Sequence, residues 1–112
     1  MFVSFSGKTA ELVNVVNHLP MDVTVMALTA HPDLSSCPLL ANRSNSILLP
    51  APIHESEEST FGVSAPTTST TVAIAIGDML AITVADIMHQ GNSSAVFRRN
   101  HPGGSIGASL KS

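Results

Sequence analysis

The sequence predicts an α/β fold, a three-layer arrangement in which helices flank a parallel sheet. Three observations carry that expectation. Short β-branched runs alternate with helix-period segments along the chain. The run Val23-Thr24-Val25-Met26-Ala27-Leu28 is almost continuously apolar, which suits a strand covered on both faces. A hydrophobic fraction of 44% with a net charge of −3 over 112 residues is that of one globular domain rather than a disordered chain.

Taken in order, Met1–Phe5 reads as a first strand running into Ser6-Gly7. A helix follows from about Ala10 and stops before Pro20. Val23–Leu28 is the second strand. Ala30-His31-Pro32-Asp33 forms a loop, and Ser35 or Ser36 is placed to cap a short helix through Leu40. Ser46–Leu49 is the third strand, halted by Pro50 and Pro52. An irregular acidic stretch, His54–Thr60, leads to the longest helix, from about Pro66 to His89, with proline in its first turn. Its apolar residues lie on nearly every face, so burial at the centre of the fold is expected. Gly91-Asn92 ends that helix, and the tail closes in His101-Pro102-Gly103-Gly104.

Composition narrows the partners. Five Lys and Arg and an absence of Trp and Tyr leave neither a basic footprint nor stacking platforms, so nucleic acid is not expected. Cys37 is the only cysteine, which excludes an internal disulfide and a Cys-rich zinc site. Val72–Met88 is apolar enough to resemble a membrane span, but it contains Asp78 and Asp86. An Asp at a bilayer centre costs roughly 2.5–3.5 kcal/mol on insertion scales. The expectation is a cytoplasmic protein without a membrane partner.

Three loops hold chemistry-bearing residues. Ser4-Phe5-Ser6-Gly7-Lys8-Thr9 lies where a strand hands over to a helix, so outward amides and hydroxyls can hold an anion; Ser6 or Thr9 can equally serve as a helix cap. Gly7-Lys8-Thr9 lacks the preceding glycine of a nucleotide P-loop, Phe2 standing in its place. His54–Glu58 combines an imidazole with carboxylates, but Glu58 stands where a zincin needs its second histidine. His101 offers a group that titrates near neutral pH.

Read together and in this order, four motifs resemble the sugar isomerase (SIS) domain family, in particular its arabinose-5-phosphate isomerase branch. They are Ser4–Glu11, Ala65–Thr71, Gly77-Asp78-Met79-Leu80-Ala81 and His101–Gly107. The resemblance implies a doubly wound parallel sheet with the ligand at the carboxyl ends of its strands. It implies a phosphorylated sugar as ligand, with Ser4, Ser6, Gly7 and Thr9 holding the phosphate. Glu11, Glu58 and His101 match the branch's catalytic positions. Interconverting an aldose and a ketose needs ring opening and proton transfer between neighbouring carbons, so acid/base groups suffice and neither cofactor nor metal is implied. The alternative is a sensing module that binds the sugar phosphate without turning it over, or a degenerate fragment.

The departures are specific. The family opens with a Gly-rich loop that in this branch contributes a lysine; this chain starts at what resembles the third strand. Glu57–Val63 replaces the branch's usual loop before Ala65-Pro66. Residues 1–112 therefore read as a partial domain, incomplete on its N-terminal side. The open edge of its first strand makes a homo-oligomer the expected state.

Overall fold

The computed structural model describes residues 1–108, so residues 109–112 of the predicted domain lie outside the described part. The chain forms two compact units, Met1–Ile76 and Gly77–Ser112. In the first, β1 (Phe2–Val3), β2 (Val25–Thr29) and β3 (Ser46–Pro50) form a parallel sheet in that order. Phe2 pairs with Ala27, and Ala27 pairs with Leu48. The fold class is the expected one, α/β with three neighbouring parallel strands.

Side chains alternate along a strand, so pairing decides what each face carries. Phe2, Val25, Ala27 and Leu48 share one face. Against it pack Leu12, Val13, Val16 and Leu19 around helix α1 (Ala10–His18), together with Cys37, Leu39 and Leu40 of the β2–β3 connection. This is the hydrophobic core. The other face bears Val3, 53% exposed, and Leu28, 2% exposed. Val3 pairs directly with Leu28, so the difference is that between the edge strand and the central one.

The expected helix after Ser35 does not form. Asp33 Oδ1 accepts instead from Ser35 Oγ (2.6 Å) and the Ser36 amide (2.9 Å), closing a side-chain turn that competes with a helical start. These donors also hold the Asp33 carboxyl below its ordinary range, the Ser35 hydroxyl contributing most. Conversely, the acidic stretch contains a short helix, α2 (Glu57–Phe61). Ser56 Oγ caps it by accepting from the Ser59 amide (3.1 Å), and Gly62 ends it at φ 73°, a left-handed conformation open to glycine.

The long helix is present as α3 (Thr68–Met88), but its expected burial is not. Only Ser69 is buried; Ile74, Met79, Ile82, Ile87 and Met88 are each at least 60% exposed. An all-round apolar sequence reports what a helix needs, not what surrounds it. By length and mean hydropathy (1.8) it is sufficient to cross a membrane. Burial is no longer an argument against that role, and the two internal aspartates alone weigh against it. In the second unit α3 is followed by α4 (Ser93–Arg99) and α5 (Ser105–Ala108), in a tail expected to be loop.

Candidate functional site

The site begins with the loop joining β1 to α1. Gly7 adopts φ 59°, and a Cβ there would lie 2.8 Å from His31 Cδ2 and 3.0 Å from Cys37 Sγ, so a side chain is excluded twice over. Every carbonyl from Ser4 to Gly7 is tied inward. Ser4 O accepts from the Gly7 amide (3.1 Å), and Phe5 O from the Ala30 amide (3.0 Å) and the Thr29 hydroxyl (3.0 Å). Ser6 O accepts from His31 Nε2 (2.8 Å), and Gly7 O from the Leu39 amide (3.0 Å). The Ser6 and Thr9 amides have no acceptor among the described residues.

The cap alternative for this loop is not realised at Thr9. Thr9 occupies the N-cap position of α1 without a side-chain cap bond; its hydroxyl shares a 2.8 Å hydrogen bond with Ser4 Oγ. The first amides of α1 thus lack a side-chain acceptor from their own cap, and the positive end of the helix dipole stands behind a loop rich in donors. Ser6 Oγ accepts only a long 3.4 Å bond from the Lys8 amide.

This loop opens onto a cavity of about 700 Å³ at the carboxyl end of the sheet. Val3, Leu28, Ala51 and Ile53 give it an apolar floor, and Ser4, Ser6, Thr9, Thr29, Glu57, Glu58, Ser64 and Ser69 supply its polar groups. Glu58 accepts from Ser64 Oγ at 2.6 Å. Glu57 Oε1 accepts from the Thr67 amide (2.6 Å), the Ser69 amide (3.0 Å), Ser69 Oγ (2.8 Å) and Thr67 Oγ1 (3.3 Å). These donors hold the Glu57 carboxyl below its ordinary range, the Thr67 amide first.

Of the residues singled out from sequence, Ser4, Ser6, Thr9 and Glu58 line this one cavity. Gly7 shapes the loop from behind. Glu11 is exposed in the first turn of α1 and is not among the lining residues, a position where a carboxylate also stabilises a helix by roughly 0.3–1 kcal/mol. His101 belongs to the second unit, where its ring stacks on Phe97 (centroids 4.2 Å) and Nδ1 donates to the Phe97 carbonyl (2.7 Å). Among the described residues no cluster of His, Cys, Asp and Glu has the makings of a metal site. Thr29 and His31, which orient the loop carbonyls, escaped sequence reading. Their partners lie 24 and 25 residues away, and no local pattern marks them.

No protein-family model matches the chain, and no solved structure does. Curated proteins do. The chain is 35% identical to the arabinose 5-phosphate isomerase KpsF of Escherichia coli over 111 residues, 98% of this chain and 32% of that protein. It is 32% identical to the arabinose 5-phosphate isomerase KdsD of Pseudomonas aeruginosa over 109 residues, 96% of this chain and 31% of that protein. An uncharacterized protein of Helicobacter pylori is 33% identical over 112 residues. The chain spans about a third of the length of the curated relatives it matches. The similarity to these arabinose 5-phosphate isomerases thus extends over nearly the whole of this chain.

Proposed function

We propose that the first unit binds a phosphorylated sugar, and that the chain is an SIS-type module of the kind found in aldose–ketose phosphate isomerases. The observation that carries this reading is the Ser4–Thr9 loop. Its carbonyls are pinned inward, its helix lacks a side-chain cap, and it faces a cavity holding a carboxylate. Ser4, Ser6 and Thr9 supply hydroxyls to the phosphate, and the loop amides with the α1 dipole supply the electropositive field. The sugar then extends across the cavity towards Glu58.

There Glu58 is the candidate base. It removes the proton from the carbon beside the carbonyl and returns it to the neighbouring carbon, Ser64 steadying the carboxylate. Glu11 and His101 remain candidates by family position for the accompanying proton movements. No cofactor enters this scheme.

One observation favours the second reading, a module that binds without turnover: within the first unit Glu11, unlike Glu58, does not line the cavity. Calorimetry with arabinose 5-phosphate, alongside an isomerisation assay, separates the two. Binding that weakens at least about tenfold in Thr9→Val, with ketose product formed, supports the enzyme. The same binding without product supports the sensing module. Undiminished binding by Thr9→Val removes the phosphate loop from the site.

A further inference from the structure

Glu57 carries four hydrogen bonds on one carboxylate oxygen, and all of them come from Thr67 and Ser69 at the start of α3. Helix α3 carries no acidic residue in its first turn. The anion its free amides require comes instead from α2, where Glu57 Oε1 collects the Thr67 and Ser69 amides and both their hydroxyls. Ser69 is 8% exposed, so its two hydrogen bonds to Glu57 are partly shielded from water, while those of Thr67 lie at the surface. Helix α2 has five residues and no buried side chain, too few to hold a helix by itself.

We infer that Glu57 is a positioning residue: by capping α3 from outside, it fixes α2 against the cavity and thereby sets where Glu58 points. Adjacent residues on a helix diverge by about 100°, so with Glu57 tied to Thr67 and Ser69 the direction of Glu58 is no longer free. Its neighbour then meets Ser64 Oγ at 2.6 Å on the cavity wall. The two glutamates consequently divide their labour. The carboxylate saturated with donors is a poor proton acceptor and serves as an anchor; the one with a single hydroxyl donor faces the ligand.

This inference rests on the sugar-phosphate reading of the cavity, and its test separates the two. Two variants, Glu57→Ala and Glu57→Gln, are titrated with arabinose 5-phosphate and with inorganic phosphate. Glu57→Ala should weaken arabinose 5-phosphate binding about tenfold and leave inorganic phosphate, held by the Ser4–Thr9 loop, within about twofold of the parent chain. Glu57→Gln keeps an oxygen acceptor and should recover most of the loss. Unchanged sugar-phosphate binding in Glu57→Ala, equal loss of both probes, or no recovery in Glu57→Gln would overturn the role. If the parent chain binds neither probe, the functional reading falls, but the positioning role is still decided without ligand. The Ser64 amide signal in NMR should then shift in Glu57→Ala as Glu58 is released, and an unmoved signal would overturn it.

Discussion

Arg43 is the buried cation of the first unit, and carbonyl oxygens rather than a carboxylate surround it. Its guanidinium donates to the carbonyls of Val16 (3.2 Å), Leu19 (3.3 Å), Pro20 and Val23 (2.9 Å). These carbonyls lie at the end of α1 and in the turn that follows, where the helix dipole is negative, and those of Val16 and Pro20 also accept the Leu19 and Val23 amides. Arg43→Ala would leave the Leu19 and Val23 carbonyls without that donor and should destabilise the fold by about 3–5 kcal/mol in denaturant unfolding. Arg43→Lys should recover only part, because an ammonium lacks the fork that reaches divergent carbonyls. Nothing near Arg43 in the sequence announces this role, since its partners lie 20 to 27 residues earlier. Gly7 was different: a strand-to-helix loop makes a glycine there legible. The structure adds the reason no other residue fits, the approach of His31 and Cys37.

At the scale of elements, the three strands were readable because β-branched runs bounded by Gly and Pro carry their own signal. Helices α2 and α4 were not, being five and seven residues long and therefore shorter than the window in which periodicity shows. Helix α3 was found in the sequence but its surroundings were misjudged, because apolarity on every face does not supply neighbours. The junction of α2 with α3 has a pH signature. Glu57 has a folded-state pKa below its ordinary value of 4.5, so its contribution to stability is complete above that value. As pH falls through the lowered pKa, the carboxylate is protonated and the contribution is lost. The Ser69 amide shift should therefore titrate with a midpoint below 4.5, and a midpoint at or above it would contradict the donor arrangement.

At the scale of the molecule, the core on one sheet face contrasts with the apolar surface left open along α3. Ile74, Met79, Ile82, Ile87, Met88 and Phe97 are all exposed, and large exposed apolar side chains in such number favour association. We expect the purified chain to self-associate, with a mass by light scattering above the 11.6 kDa of one copy. Ile82→Glu with Ile87→Glu should lower that mass. A monodisperse monomer of the unmodified chain would contradict the expectation.

In the proposed function the Ser4–Thr9 loop grips the phosphate of a sugar. An amide-resolved NMR titration, run in parallel with arabinose 5-phosphate and with arabinose, tests it most directly. The Ser6, Gly7, Lys8 and Thr9 amides should show saturable shifts with the phosphorylated sugar and little response to the free one. Equal responses to both sugars, or shifts that bypass these four amides, would contradict it.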